Sequence, residues 1–147
     1  MMRWMWLAIA LLTLPVAAAE YDAGLAKRLG ADERGMRAYV FVVLKTGPKA
    51  DFSKEQRQAL FKGHMANIQR LAAEGKLVLA GPFGDNPQHL EGVFIFNLAK
   101  VEDVEPLLKS DPAIAGGALA YEIYSWYGSA AVMEIPGIHQ RIDKTQR

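Results

Sequence analysis

The chain has 147 residues, with 17 Lys or Arg, 16 Asp or Glu, and no cysteine. A formal net charge of +1 gives no electrostatic reason to expect binding to nucleic acid or to an anionic membrane surface. The absence of cysteine excludes disulfide bonds, attachment of a lipid through cysteine and a thiol nucleophile, so the fold depends on its hydrophobic core.

The beginning of the chain has the layout of a cleavable secretory signal. Arg3 is the single early charge, and an uncharged apolar run extends from Trp4 to Leu14 before a proline breaks it. Small residues then occupy the −3 and −1 positions of a cleavage site near Ala19. The apolar run is shorter than the ~20 residues that span a bilayer. We therefore expect residues 1–19 to be a signal peptide and the mature protein to be periplasmic or secreted, with no membrane contact after cleavage. An uncleaved N-terminal anchor is the alternative.

A short amphipathic helix is predicted directly after the signal. Tyr21, Leu25 and Leu29 recur at helical spacing. Gly30 follows them and suits the C-terminus of a helix. The remaining polar residues link this helix to the next apolar segment. We predict that residues 20–37 form an N-terminal arm packed on the surface of one domain.

A strand and a long helix open that domain. Residues 38–44 are apolar at both odd and even positions, which predicts a strand inside a sheet that is covered on both faces. Ser53 is followed three residues later by Gln56, the spacing of a capping box, so a helix is predicted to begin there. The helix extends to about Glu74, and Gly75 ends it.

Three more strands and one helix complete the predicted domain. Apolar runs bounded by turn residues predict the strands, and apolar residues at helical spacing predict the helix. The strands are Leu77–Ala80, Gly92–Leu98 and Leu119–Tyr127, and the helix is Glu102–Lys109. The domain then covers residues 38–128, and residues 129–147 form a C-terminal arm.

The order strand, helix, strand, strand, helix, strand predicts an α+β fold of the ferredoxin-like, split βαβ type. Two helices cover only one face of its four-stranded antiparallel sheet, yet the strands are apolar on both faces. An apolar face of this size needs a cover. A second copy packed sheet against sheet would supply it, which predicts a homodimer. The terminal arms of the same chain are the alternative cover, and both can contribute.

One titratable side chain falls on the apolar face of the long helix. His64 lies in the middle of this face, and Arg57 lies on it two turns earlier. The face consists of Leu60, Phe61, Met65, Ile68, Leu71 and Ala72. It is directed toward the core and toward the end of the following strand.

His64 and Arg57 each have a functional and a structural interpretation. An inward imidazole can act as a general base, because histidine exchanges a proton near neutral pH. A histidine at the edge of the core that is hydrogen-bonded to a carbonyl is the alternative for His64. Arg57 can bind a substrate carboxylate through paired hydrogen bonds, or it can extend from the first turns of the helix to solvent.

Two further groups are candidates for substrate contacts. Gly81 and Pro82 follow a strand and leave room for a ligand, or they end the strand. Glu122, Tyr124 and Trp126 share one face of the last predicted strand. They line a cleft between two paired sheets, or they belong to a core or an interface.

Other catalytic and cofactor-binding signatures are missing from the sequence. The histidines His64, His89 and His139 have no metal-ligand spacing, so we expect no metal site. No nucleophile elbow, phosphate-binding loop or HExxH motif occurs, and no cofactor is expected.

From residue 39 to residue 127 the sequence resembles the YCII-related (YciI-like) domain family. The matching features are His64, the segment AAEGKLVLAGPF with Gly81 and Pro82, Gly92 before an apolar strand, and Ser110-Asp111-Pro112 before a small-residue turn. The resemblance implies a dimeric α/β-barrel built on the ferredoxin-like plan.

The resemblance also implies a pocket around His64 with an acidic partner, and Asp111 is the best match for that acid. The simpler interpretation of Asp111, before Pro112, is a turn or cap residue. Relatives that resemble muconolactone isomerases and dehydrochlorinases imply proton transfer on small cyclic compounds. The chain departs from the family in its export signal, its two arms, and Ala113 in a position that is often aromatic.

Two functions of different classes follow from the sequence. The first is an exported small-molecule enzyme of isomerase or lyase type, with His64 and Asp111 as catalytic residues. The second is a non-catalytic dimer that binds a small ligand or serves as a structural module.

Overall fold

A computed structural model describes residues 20–145 of the chain. The predicted signal peptide, residues 1–19, lies outside the described residues. Within the described range, no helix has the length and apolar character needed to cross a membrane.

The described residues form helices and strands in the predicted order, with additional short helices in the second half. In chain order these are α1 (Ala23–Leu29), β1 (Met36–Thr46), α2 (Lys54–Ala73), β2 (Leu77–Pro82), β3 (Leu90–Phe96), α3 (Val101–Lys109), α4 (Pro112–Ala115), β4 (Leu119–Ser129) and α5 (Ile135–Ile142), with a 3₁₀ turn at Ala130–Glu134. The single-turn helix α4 and the helices of the C-terminal arm were not predicted.

The four strands form one antiparallel sheet in the order β2-β3-β1-β4. With α2 between the first two strands and α3 between the last two, this order is the ferredoxin-like, split βαβ arrangement. The predicted α+β fold class is confirmed. β1 begins at Met36, so the last two residues of the predicted N-terminal arm belong to the sheet.

The long helix α2 begins where its capping signal predicts. The Ser53 hydroxyl accepts a hydrogen bond from the Gln56 amide at 3.2 Å, and the Gln56 side chain accepts one from the Ser53 amide at 2.8 Å. This reciprocal pair satisfies two amide groups that have no partner within the helix. Gly75 follows α2 with a φ of 68°, a left-handed conformation that glycine adopts without strain. The helix that carries His64 is therefore held firmly at both ends.

The main hydrophobic core lies on one face of the sheet, beneath α2 and α3, and this face is called the helical face. Its buried residues are Val40, Val42, Leu44, Leu71, Leu77, Phe94, Phe96, Val104 and Leu108. Burying one such side chain contributes about 1.5–3 kcal/mol to folding. This core fixes α2 over the sheet.

The opposite face of the sheet, called the open face, is covered only in part. Near one end, Val132 and Met133 of the C-terminal arm pack on a buried cluster of Tyr39, Val78 and Ile95. Farther along this face Val43 is half-buried, and Tyr124 is 49% exposed. The arm thus supplies part of the predicted cover, and an apolar area remains beside it.

The second strand is longer than predicted. β2 continues through Gly81 and Pro82, which pair with Val93 and Gly92 of β3. Proline is tolerated here because β2 is an edge strand, where the missing amide hydrogen faces away from the neighbouring strand. Gly81 and Pro82 are therefore the last two residues of this strand.

Candidate functional site

The structure brings His64 and Asp111 into direct contact beneath α2. His64 Nδ1 lies 2.9 Å from Asp111 Oδ2. The side chains come from α2 and from the segment before α4, which are 47 residues apart in sequence. His64 is 9% exposed and Asp111 is fully buried. A buried carboxylate is rare unless it is paired, and here its partner is the imidazole.

Asp111 is placed by its role as the N-cap of α4. Its Oδ1 atom accepts a hydrogen bond from the Ala113 amide at 2.9 Å and a longer one from the Ile114 amide at 3.4 Å. Pro112 occupies the first helical position, where its fixed φ and missing amide hydrogen suit a helix start. Asp111 can therefore be both a cap residue and the acidic partner of His64, because Oδ1 accepts from the amides of α4 while Oδ2 contacts His64.

Asn67 is a third buried polar residue at this site and was not predicted. Its Nδ2 donates to Asp111 Oδ2 at 2.9 Å, and its Oδ1 accepts from Arg70 Nη2 at 2.7 Å. Asn67 lies three residues after His64, a spacing that places both on the same side of a helix. This spacing is the signal that could have identified it from the sequence.

A glycine permits the close packing that joins these elements. A Cβ atom added to Gly63 of α2 would lie 2.8 Å from Pro112 Cγ of α4. Real Cβ atoms essentially never approach another atom so closely. Gly63 therefore allows α4, and with it Asp111, to reach the neighbouring His64.

The hydrogen bonds of Asp111 determine which nitrogen of His64 carries the proton. Burial raises the pKa of this carboxyl, but the hydrogen bonds from His64 and Asn67 outweigh burial and lower the pKa below its ordinary value of 3.8. Asp111 is consequently ionised at neutral pH, and a carboxylate can only accept hydrogen bonds. Nδ1 of His64 must then be the donor, which leaves the lone pair of the neutral ring on Nε2.

Two cavities meet at His64 on the outer side of this pair. The smaller one, called the small pocket, has a volume of about 210 Å³ and is lined by His64, Arg57 and apolar residues that include Leu60 and Ala113. The larger one, called the groove, has a volume of about 1050 Å³ and lies between α2, β2 and α5. Phe61 and Leu119 line both. No side chain or backbone group of residues 20–145 hydrogen-bonds Nε2.

The ring of His64 is held from below by the helical face of the sheet. It stacks on Phe94 of β3, with ring centroids 5.9 Å apart and an interplanar angle of 26°. Phe94 in turn packs edge-on against Phe96. The imidazole is therefore fixed in orientation by Asp111 on one edge and by an aromatic face beneath it.

Other predicted contact residues fall at different distances from this pair. Arg57 is exposed at the mouth of the small pocket, where its Nη2 donates to the Ala50 carbonyl at 2.7 Å. Gly81 and Pro82 line the groove together with His64. The structure thus brings Arg57, Gly81 and Pro82 to the cavities that His64 borders.

Glu122, Tyr124 and Trp126 are not brought to His64. They lie on the open face, where Trp126 packs against Tyr39 with ring centroids 5.5 Å apart. Glu122 pairs with Lys45 at 2.6 Å and accepts a hydrogen bond from the Tyr124 hydroxyl at 2.8 Å. His64 stacks on the helical face, so these three residues lie on the opposite face of the sheet from it, and the predicted cleft between two paired sheets stays a prediction.

Of the remaining histidines, His139 lines the groove together with His64, whereas His89 lines neither cavity. His89 is exposed in the turn before β3, and His139 belongs to α5, where Nε2 lies 3.8 Å from Asp143 Oδ2. Within residues 20–145, no three His, Asp or Glu side chains are grouped closely enough to hold a metal ion.

Comparison with known proteins places the central part of the chain in a described family. The model of the YCII-related domain matches residues 38–127. No curated protein gives a significant match to the chain.

Two solved structures are similar at low sequence identity. One is 5-chloro-2-hydroxyhydroquinone dehydrochlorinase from Burkholderia phenoliruptrix, in complex with 2,5-dihydroxybenzoquinone, with 21% identity over 59% of this chain and 92% of that chain, at a TM-score of 0.42. The other is a dimeric protein of unknown function and ferredoxin-like fold from Bacteroides fragilis, with 15% identity over 63% of this chain and 97% of that chain, at a TM-score of 0.36.

Proposed function

The chain belongs to the YCII-related domain family, and from this together with the geometry around His64 we propose that it is a small-molecule enzyme with an acid–base site. His64 is the proposed base and acid, and Asp111 is its proposed partner. The reaction class is isomerase- or lyase-like proton transfer at carbon. The observation that carries the proposal is the 2.9 Å contact of His64 Nδ1 with buried Asp111, which leaves Nε2 without a hydrogen-bond partner among residues 20–145 in a side chain that lines two cavities.

The proposed chemistry follows from the fixed orientation of the ring. Nε2 takes a proton from a substrate carbon, and the electron pair of that bond moves into the substrate. The resulting imidazolium is stabilised by the carboxylate of Asp111. Because Asp111 is fully buried, solvent does not screen the attraction between the two charges. The same nitrogen then returns the proton to a different carbon, or the electron pair expels a leaving group and the proton passes to solvent.

Three residues are proposed to contact the substrate. Arg57 stands at the mouth of the small pocket, and Gly81 and Pro82 border the groove. Glu122, Tyr124 and Trp126 are proposed to contribute to a dimer interface instead, because they lie on the open face. The apolar area beside Tyr124 supports a homodimer in which a second copy covers that face.

Proton exchange with solvent tests the enzymatic proposal without knowledge of the substrate. The protein is incubated in D₂O with a panel of small cyclic ketones, lactones and acids, and loss of C–H signals is followed by ¹H NMR. We expect at least one compound to exchange faster with the protein. His64→Gln should slow that exchange by about 100-fold or more.

His89→Gln is the matched control, because His89 is exposed in the turn before β3 and lines neither cavity. It should exchange as the wild type does. Exchange by His64→Gln at the wild-type rate would contradict the proposal. A compound that raises the melting temperature but never exchanges would favour the alternative function, a non-catalytic binding module.

Export to the periplasm or medium is proposed from the sequence of residues 1–19 alone. When the full chain is produced in a bacterium with a secretion pathway, we expect the mature protein outside the cytoplasm. N-terminal sequencing should then begin at Glu20. An intact Met1 on the exported protein would show an uncleaved anchor.

A further inference from the structure

The size and lining of the small pocket limit what can occupy it beside His64. The pocket has a volume of about 210 Å³. A cavity of about 150 Å³ lined by apolar side chains holds a benzene molecule. The small pocket therefore has room for one six-membered ring, or a hydrocarbon of that size, with a small substituent. Its walls are apolar apart from His64 and Arg57.

Two positively charged side chains lie over one aromatic ring that lines the small pocket. Lys49 Nζ lies 4.9 Å from the centroid of the Phe52 ring, and the Arg57 guanidinium carbon lies 5.8 Å from the same centroid. Phe52 and Arg57 both line the pocket. Cations held over an aromatic face are attracted by its negative π surface. Both charges are thus held beside a ring that lines the small pocket, and Arg57 lines the pocket itself.

Among the described residues, 20–145, no acidic side chain pairs with either cation. Within residues 20–145, Lys49 and Arg57 take part in no ion pair. In the described part of the chain, the Arg57 side chain donates a hydrogen bond only to the Ala50 carbonyl, so most of its guanidinium hydrogens are available to a ligand. By contrast Lys45, on the open face, is paired with Glu122 at 2.6 Å.

From these observations we propose that the small pocket selects small organic anions, with a carboxylate or enolate oxygen on Arg57 and an apolar body inside. Lys49 is a second specificity-determining cation at the entrance. This inference rests on the proposed function and names its substrate class. When His64 Nε2 takes the proton from carbon, the electron pair moves onto the oxygen that Arg57 holds, and the guanidinium stabilises that negative charge.

A matched pair of probes tests charge selection without any turnover. Benzoate and benzamide have the same ring and nearly the same shape, and only benzoate is an anion. Binding of each to the full chain is measured by titration with NMR detection. We expect benzoate to bind at least tenfold more tightly than benzamide, since hydrogen bonds to a charged group are much stronger than neutral ones.

Charge-removing variants assign the selection to these residues. Arg57→Gln should weaken benzoate about tenfold, and Lys49→Gln about threefold, with benzamide unchanged. Lys54→Gln is the matched control, because it removes an exposed positive charge from the same helix but does not line the pocket. It should leave both affinities as they are.

The outcomes separate this inference from the proposed function. Equal affinity for benzoate and benzamide, no detectable binding of benzoate, or an unchanged preference in Arg57→Gln would overturn the anion proposal. Loss of proton exchange in His64→Gln tests the base, whereas loss of the benzoate preference in Arg57→Gln tests the anion site, so the two proposals can fail separately. Failure of the exchange assay with benzoate selection intact would reject the base and retain the anion site.

Discussion

Asp111 caps the N-terminus of α4 with one carboxylate oxygen and contacts His64 with the other. Oδ1 accepts from the amides that open α4, and Oδ2 accepts from His64 and Asn67. Any rotation of the carboxylate would break one set of hydrogen bonds, so the capping geometry also fixes the imidazole. Serine or asparagine would cap α4 about as well. The negative charge is needed only by the histidine, which argues for a chemical role of this residue.

The helical pattern identified His64, and the family resemblance gave Asp111 as its acidic partner. His64 stood out on the helical wheel, and Asp111 was linked to it only by the family resemblance. The pairing depends on how α4 returns over α2, which no local pattern encodes. Asn67 is not predicted, because a single polar residue beside an apolar helix face gives no sign of whether it is buried. Its spacing of three residues from His64 is the one indication that the sequence offers.

Removal of the Asp111 carboxylate should lower stability strongly. Asp111→Ala leaves the buried donors of His64 and Asn67 without an acceptor and removes the cap of α4. We expect the free energy of unfolding to fall by about 3 kcal/mol, as measured by urea denaturation. Asp103→Ala, at an exposed position of α3, is the control and should change it by less than about 0.5 kcal/mol. Equal effects of the two variants would contradict the assigned role.

The stability contributed by Asp111 should depend on pH in a defined direction. Its pKa is lowered in the folded protein, so the fold favours the ionised form. The contribution is complete above the ordinary value of 3.8 and is lost as the pH falls through the folded pKa. The difference in urea midpoint between wild type and Asp111→Ala should therefore shrink as the pH falls below about 4. A difference that grows in acid would refute this linkage.

At the scale of elements, the long helix α2 of the site could be predicted from the sequence, whereas the single-turn helix α4 could not. α2 could be predicted because Ser53, Gln56 and Gly75 mark its ends locally. α4 consists of a single turn, too short to show a hydrophobic period, so it was interpreted as a connection. The close approach of these two helices requires the absence of a side chain at Gly63, and a glycine inside a helix gives no hint of what packs against it.

Gly63→Ala should destabilise the protein although alanine favours helices. The new methyl group would meet the Pro112 ring at 2.8 Å, and this ring cannot rotate away as a flexible side chain can. We expect a loss of about 1–3 kcal/mol in the free energy of unfolding, typical of overpacking. The separation of α2 and α4 should also weaken the His64–Asp111 contact.

Gly137→Ala in α5 is the matched control for helix propensity. A Cβ atom at Gly137 would have no heavy atom within 4 Å, so only the backbone preference changes. This variant should be more stable by up to about 1 kcal/mol. If both glycine variants gained stability, the close packing of α2 on α4 would not be the reason for Gly63.

At the scale of the whole molecule, the sheet separates the helical face, where His64 lies, from the open face, where Tyr124 lies. Apolar residues at both odd and even positions of the strands predict that both faces of the sheet are apolar. The C-terminal arm covers one end of the open face. The face on which His64 lies could not be predicted, because it depends on the rotation of α2 over the sheet. The stacking of His64 on Phe94 places the site on the helical face, away from Tyr124.

The open face should form the interface between two copies. Val43 lies in the central strand β1 and is half-buried in one protomer. Val43→Lys should convert a dimer to a monomer in sedimentation equilibrium, because a charge buried in an apolar interface is costly. Ile142→Lys, at a residue of α5 that is 71% exposed, is the control and should stay dimeric. A wild-type monomer at tens of micromolar would contradict the dimer.

The claim on which the proposed function depends is that Asp111 holds the proton of neutral His64 on Nδ1. The ¹⁵N chemical shifts of its ring nitrogens report this directly, with His89 and His139 in the same spectrum as internal references. The expected result, at a pH where the ring is neutral, is a protonated Nδ1 and an unprotonated Nε2. A protonated Nε2 in the neutral ring would mean that the lone pair points at Asp111, and no base would face the cavities.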